Sequence, residues 1–138
     1  MPTIFSRIVA GEIPAIKLYE DDHTLAFMDI SPASRGHALV ICKQEHADLF
    51  AIPPELLAAT AQSVQKVAQA VRATLRPDGV NIVQNNGGAA GQTVFHYHVH
   101  IIPRWEGDGV LQPWAHYQSS PDELRALAEQ IRAALAPS

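Results

Sequence analysis

Hydrophobic positions recur along this chain with three different periods, and each period predicts an element. Ile4, Phe5, Ile8 and Val9 fall at helical spacing and stop before Gly11, which predicts a short N-terminal helix. After Pro14, Lys17 to Glu20 reads as an edge strand and Asp21-Asp22-His23 as a turn. Leu25 to Ile30 reads as a second strand closed by Ser31-Pro32. His37 to Cys42 is a nearly continuous apolar run that suits a central strand covered on both faces. From Pro53-Pro54 the period lengthens. Leu57, Ala61, Val64, Ala68, Val71 and Leu75 recur every three or four residues until Pro77-Asp78-Gly79, predicting a long amphipathic helix with proline in its first turn. Leu56, Val67 and Ala70 widen its apolar face beyond one stripe, which a second contact such as a partner subunit would explain. Val80 to Asn85 reads as a strand, Asn86 to Gln92 as a glycine-rich loop and Val94 to Arg104 as the last strand. Ser120-Pro121-Asp122-Glu123 is a capping box, and Leu124, Leu127, Ala128, Ile131 and Leu135 continue it as an amphipathic C-terminal helix. Strands outnumber helices without strict alternation, so the pattern predicts an α+β fold.

Composition narrows the function classes. A chain of 138 residues is one domain with a real core. The net charge of -4, with no Lys/Arg cluster, speaks against a nucleic-acid polymer as partner. No apolar run approaches the ~18 residues of a transmembrane helix, so no membrane is expected. The opening residues lack the pattern of a signal peptide. Cys42 is the lone cysteine, which leaves no internal disulfide or multi-thiolate zinc site and fits a reducing cytoplasm.

Seven histidines are many for this length, and three lie within five residues. His96, His98 and His100 alternate with Phe95, Tyr97, Val99 and Ile101, which as the other face of a strand would be core. On a strand, period two puts all three imidazoles on one face, about 6.6 Å apart at the backbone. A solvated polar face is the bland reading, but threonine, lysine or glutamate would be its usual occupants. Two chemical readings stay open. His96 and His98 could share a zinc ion, with a third ligand from elsewhere, because His96 and His100 would stand roughly 13 Å apart. Alternatively, a neutral central imidazole could attack an electrophile while its neighbours hydrogen-bond the developing anion, an array suited to phosphorus.

His96-Tyr97-His98-Val99-His100-Ile101-Ile102 resembles the signature of the histidine-triad (HIT) nucleotide hydrolases. The resemblance runs on through Ile4-Phe5, Gly11-Glu12-Ile13-Pro14, Tyr19-Glu20-Asp21-Asp22, Ala26-Phe27-Met28-Asp29-Ile30-Ser31-Pro32, Gly36 to Ile41 with His46, and Asn85 with Gly91-Gln92-Thr93-Val94. Such blocks in order, over roughly the first 105 positions, are far more specific than one short motif. Within the family the chain is similar to the small bacterial Hint-like or Hit-like branch.

The resemblance implies a single HIT domain over 1–138, with a core at about 3–105 and a C-terminal extension at 106–138. It implies a five-stranded antiparallel sheet with one long helix and a C-terminal helix, continued across a homodimer. It also implies cleavage of a P–N or P–O bond at the α-phosphate of a purine nucleotide, such as an adenosine phosphoramidate or another AMP derivative. The reaction would pass through a nucleotidyl-histidine intermediate, with no cofactor and no catalytic metal. His98 matches the nucleophile, His100 the group contacting phosphate and leaving group, and His96 and His37 the supports that set the nucleophile's tautomer. Asp29 matches the ribose ligand, Asn85, Gln92 and Thr93 the phosphate side, and Ile4, Phe5, Ile8, Phe27 and Ile30 the purine walls.

Elementary chemistry stands beside these assignments. A carboxylate accepts from both hydroxyls of a cis-diol, which suits Asp29 to ribose, although Asp-Ile-Ser-Pro is also a plain turn. Asn86 to Gly91 can offer successive N–H groups to an anion or simply connect two strands. His37 begins a buried strand, where a core histidine is as reasonable as a catalytic one. Some relatives hold a structural zinc with two cysteines and two histidines. Here those places match Thr3, Ser6, His46 and His96, a donor set too poor for zinc, so no metal is expected. Cys42 stands where the family has proline. A non-catalytic nucleotide sensor and a zinc hydrolase are the competing functions.

Overall fold

The computed structural model describes residues 2–137. Helix α1 covers Ile4–Val9, and Thr3 caps it by accepting the Ser6 N–H on its hydroxyl at 3.0 Å. Strands β1 (Lys17–Glu20), β2 (Thr24–Met28) and β3 (Ala38–Cys42) follow as an antiparallel meander. Helix α2 covers Pro54–Leu75, and Arg76, which caps its C-terminus, adopts the left-handed conformation at φ 50°. Strand β4 (Gly79–Val83), a single 3-10 turn at Gly88–Ala90, strand β5 (His98–Arg104) and helix α3 (Pro121–Leu135) complete the chain.

The five strands lie in the order β1-β2-β3-β5-β4, every pair antiparallel, so β3 and β5 are central. Alternation along them builds two different faces. Ala38, Val40, Cys42, Val99 and Ile101 point toward α2, where Val64 and Val67 close the larger core. Leu39 and Ile41 point to the opposite face and join Leu25, Phe27, Phe5 and Ile8 beneath α1. Fully buried side chains such as Leu25, Ile41 and Ile101 each contribute about 2 kcal/mol of hydrophobic stabilisation. A 22-residue helix covers the first face and a six-residue helix only part of the second. His98 and His100 stand on that second face.

Two expectations at the last strand need correction. The last strand does not begin at Val94: regular pairing starts at His98, opposite Ile41, so His96 precedes the ladder. Phe95 accordingly lies at the surface rather than in the core beside Tyr97, Val99 and Ile101. Helix α3 forms as expected with its Ser120 cap; none of its residues is buried, and Leu124, Leu127, Ile131 and Leu135 are exposed.

Candidate active site

The β2–β3 connection delivers His37 to the start of β3. Gly36 makes that approach possible: its φ is +89°, and a Cβ there would run into the Leu75 side chain. The His37 ring is then fixed from both sides. Its Nδ1 accepts the Ala33 N–H at 2.9 Å, so in the neutral ring the proton sits on Nε2. Nε2–H faces the His100 Nδ1 at 3.0 Å and the Asp29 Oδ2 at 3.5 Å. His100 Nδ1 therefore accepts, and the neutral His100 carries its proton on Nε2.

His98 has the opposite arrangement. Its Nδ1 lies 2.6 Å from the His96 carbonyl oxygen. A carbonyl only accepts, so Nδ1 carries the hydrogen and Nε2 is left with a bare lone pair. The ring packs against the edge of Phe5 at 5.0 Å between centroids and against His100 at the same separation. Burial lowers the His98 pKa, against the opposing pull of the His96 carbonyl and the Asp29 charge. His100 is pushed down to about 4, first by burial and then by the neighbouring His98 and His37. His37 is also lowered by burial. The cluster is thus neutral at neutral pH, with one unprotonated ring nitrogen on His98 and one N–H donor on His100.

His96 is fully buried and belongs to a different environment. Its Nε2–H donates to the Cys42 carbonyl at 2.6 Å, and its Nδ1 lies 2.7 Å from the Thr3 hydroxyl. Neither nitrogen is free for a shared zinc with His98, which removes the zinc pairing considered from sequence. Thr3 and Ser6 do reach His96, at 2.7 and 3.4 Å, but as hydroxyls in a hydrogen-bonded cluster that does not fit a thiolate zinc site. Among the described residues, Asp29, His37 and His100 bring three ligand-type atoms within 4.8 Å of one another. The 3.0 Å His37–His100 contact, with Ala33 fixing the tautomer, reads as a donor–acceptor pair.

The other sequence-derived residues fall in varied places. Asp29 Oδ1 accepts the Ser31 N–H at 2.8 Å, and Oδ2 points toward His37. Phe5, Ile8 and Phe27 are buried in the smaller core, where Phe5 backs both His98 and His96, while Ile4 and Ile30 are exposed. Gln92 is buried with its amide committed inside the loop: Nε2 donates to the Ala47 and Val94 carbonyls, and Oε1 accepts the Gly87 N–H. Thr93 is exposed, and half-buried Asn85 follows two residues after Val83, the partner of His100. Cys42 is fully buried, and burial pushes its thiol pKa up.

Sequence reasoning missed Glu45. Its Oε1 accepts the Thr3 N–H at 2.8 Å and the Ser6 hydroxyl at 2.7 Å. No periodicity marks it, because the loop after β3 follows no repeat.

Comparison with known proteins bears on the same residues. The HIT domain matches residues 10–107. The chain is 44% identical over 138 residues to the protein named hit of Bacillus subtilis, covering 98% of this chain and 95% of the relative. It is 43% identical to an adenosine 5'-monophosphoramidase of Schizosaccharomyces pombe, covering 95% and 96%. A crystal structure of a HIT family member from Bacillus subtilis superposes with a TM-score of 0.93 at 40% identity, covering both chains completely. The His98 and His100 array, the antiparallel five-stranded sheet that carries it and these matches agree: the chain belongs to the HIT domain family.

Proposed function

We propose that this protein is a nucleotide hydrolase and nucleotidyl transferase. It acts at the α-phosphorus of a purine nucleoside monophosphate derivative, with an adenosine phosphoramidate as the simplest substrate. The carrying observation is the 2.6 Å hydrogen bond from His98 Nδ1–H to the His96 carbonyl, which leaves Nε2 unprotonated on a ring whose centroid lies 5.0 Å from that of His100. The phosphoramidase activity in the name of the fission yeast relative supports the substrate class.

In the first step the His98 Nε2 lone pair forms a bond to phosphorus. The P–N bond breaks, and a leaving nitrogen already protonated from solvent departs as a neutral amine with the bonding pair. The nucleotidyl group then rests on a cationic imidazolium whose Nδ1–H is held by the His96 carbonyl. In the second step water attacks phosphorus, the N–P bond returns its electrons to Nε2, and water's spare proton passes to solvent. His100 donates its Nε2–H to the phosphoryl oxygens on which charge builds and to the departing atom. His37 holds His100 in the tautomer that can do so. Asp29 would take the ribose hydroxyls, Asn85 and Thr93 the phosphate side, and Ile4 and Ile30 the open apolar surface for the base. Gln92 would act by shaping its loop. The working unit would be a homodimer.

Assay of AMP amidates and esters with wild type and His98→Ala tests this. The variant should lose at least about a thousandfold in kcat while still binding AMP. Wild-type turnover in His98→Ala would exclude it as nucleophile. Stoichiometric AMP binding by a wild type that cleaves no adenylate would favour a nucleotide sensor.

A further inference from the structure

The orientation of His98 depends on one peptide unit, His96–Tyr97. Its carbonyl accepts the His98 Nδ1–H at 2.6 Å, and its N–H donates to the His46 carbonyl at 2.6 Å. This peptide lies just outside the β3–β5 ladder, which begins at Ile41 and His98. Sheet pairing therefore does not set its plane.

The His96 ring does much of that work, because it is anchored at both nitrogens. Nε2–H is committed to the Cys42 carbonyl, so Nδ1 is bare and, in a fully buried ring, needs a donor. The Thr3 hydroxyl supplies it at 2.7 Å, with Ser6 Oγ further off at 3.4 Å. Thr3 in turn is held by Glu45, whose Oε1 takes the Thr3 N–H and the Ser6 O–H. Glu45 and His46 are consecutive, so one short loop after β3 fixes both the N-terminal segment and the peptide that aims the nucleophile. Phe5, on the same first turn of α1, packs its edge against His96 and His98 together.

We propose that Thr3 and Glu45 are positioning residues for His98: the Glu45 carboxylate holds Thr3 by its N–H, and the Thr3 hydroxyl passes that constraint to the His96 ring and the His96 carbonyl. The inference rests on the reading of His98 as the nucleophile. The relay needs a donor at position 3, because only a donor satisfies His96 Nδ1 while Nε2–H stays on Cys42. An acceptor there would draw a proton onto Nδ1 and charge the ring.

Thr3→Val, Thr3→Ser and Thr3→Asp separate this role from helix capping. Serine caps and donates, aspartate caps but only accepts, and valine does neither. Two readouts apply to the full chain: kcat and KM on adenosine phosphoramidate, and long-range proton–nitrogen correlation spectra that report the His96 and His98 tautomers. Thr3→Val and Thr3→Asp should both lose about ten- to a hundredfold in kcat with little change in KM, while Thr3→Ser stays near wild type. In the two impaired variants the His98 signals should depart from the pure Nδ1–H pattern. Wild-type kcat and an unchanged His98 pattern in Thr3→Val would overturn the proposal. Should Thr3→Val not fold, exposed Glu45 offers the second variant: Glu45→Ala should shift the same signals, and unchanged signals there would be equally fatal. The spectra need no substrate, so an inactive wild type would refute the functional reading, and the tautomer signals would still decide whether Thr3 and Glu45 orient His98.

Discussion

His98 and His100 carry the same side chain two positions apart, yet their surroundings give them complementary proton arrangements. His98 keeps its hydrogen on Nδ1 because a carbonyl stands there, and His100 keeps its hydrogen on Nε2 because His37 donates to the other nitrogen. Burial favours the neutral form of both, lowering His98 and taking His100 to about 4 from an ordinary value of 6.5. A nucleophile that works unprotonated loses activity as pH falls through its own pKa, so a lowered pKa moves that loss to more acid pH. The kcat/KM profile should therefore stay flat from neutrality down past pH 6.5 and fall only below it. A profile that already halves near pH 6.5 would contradict the buried, neutral cluster. The same shift bears on stability: the unfolded chain binds the His100 proton first, so this contribution is complete above pH 6.5 and is lost as pH falls toward 4. The period-two pattern made the shared face of His98 and His100 legible in the sequence. It could not reveal the tautomers, because the groups that set them are backbone: the His96 carbonyl and the Ala33 N–H.

Among the elements, α1, α2 and α3 were legible from spacing and capping residues, and the strands from apolar runs between turns. The error at the last strand has a local cause. The Cys42 carbonyl at the end of β3 is taken by the His96 ring at 2.6 Å, so side-chain bonding begins where the ladder stops. Alternation alone does not register such a substitution. Strand β4 shows what one element leaves unfinished. It is paired only to β5, and Val80 and Ile82 face Ala61, Val64, Ala68 and Arg72 of α2 across an open cleft of about 440 Å³. Ile82 is 51% exposed there. An edge strand beside an apolar helix face suits continuation of the sheet into a second copy. Sedimentation at micromolar concentration should return twice the 15.0 kDa chain mass, and Ile82→Lys should shift the species toward one chain. A wild type that sediments as a monomer at all concentrations would remove the homodimer from this account.

For the whole molecule, the division of labour between the two sheet faces organises everything else. One face is sealed by α2 and supplies rigidity; the other is only partly covered by α1, and it carries His98, buried, and His100, half-buried. Among the described residues no helix is long and apolar enough to cross a membrane. The resemblance made the fold plan legible over the segments where the chain keeps the family's residues. It set Thr3 and Ser6 beside His96 through the zinc-holding positions of some relatives, but it gave neither their hydrogen bonds nor Glu45, because a hydroxyl and carboxylate cluster has no spacing signature. The central claim is that the nucleotidyl group passes onto the nitrogen of His98. Rapid-quench mixing with an α-phosphorus-labelled adenosine phosphoramidate, followed by peptide mapping, addresses it directly. Acid-labile label on the peptide containing His98, appearing before AMP and absent in His98→Ala, is the predicted result. AMP released at full rate with no label ever on that residue would contradict it.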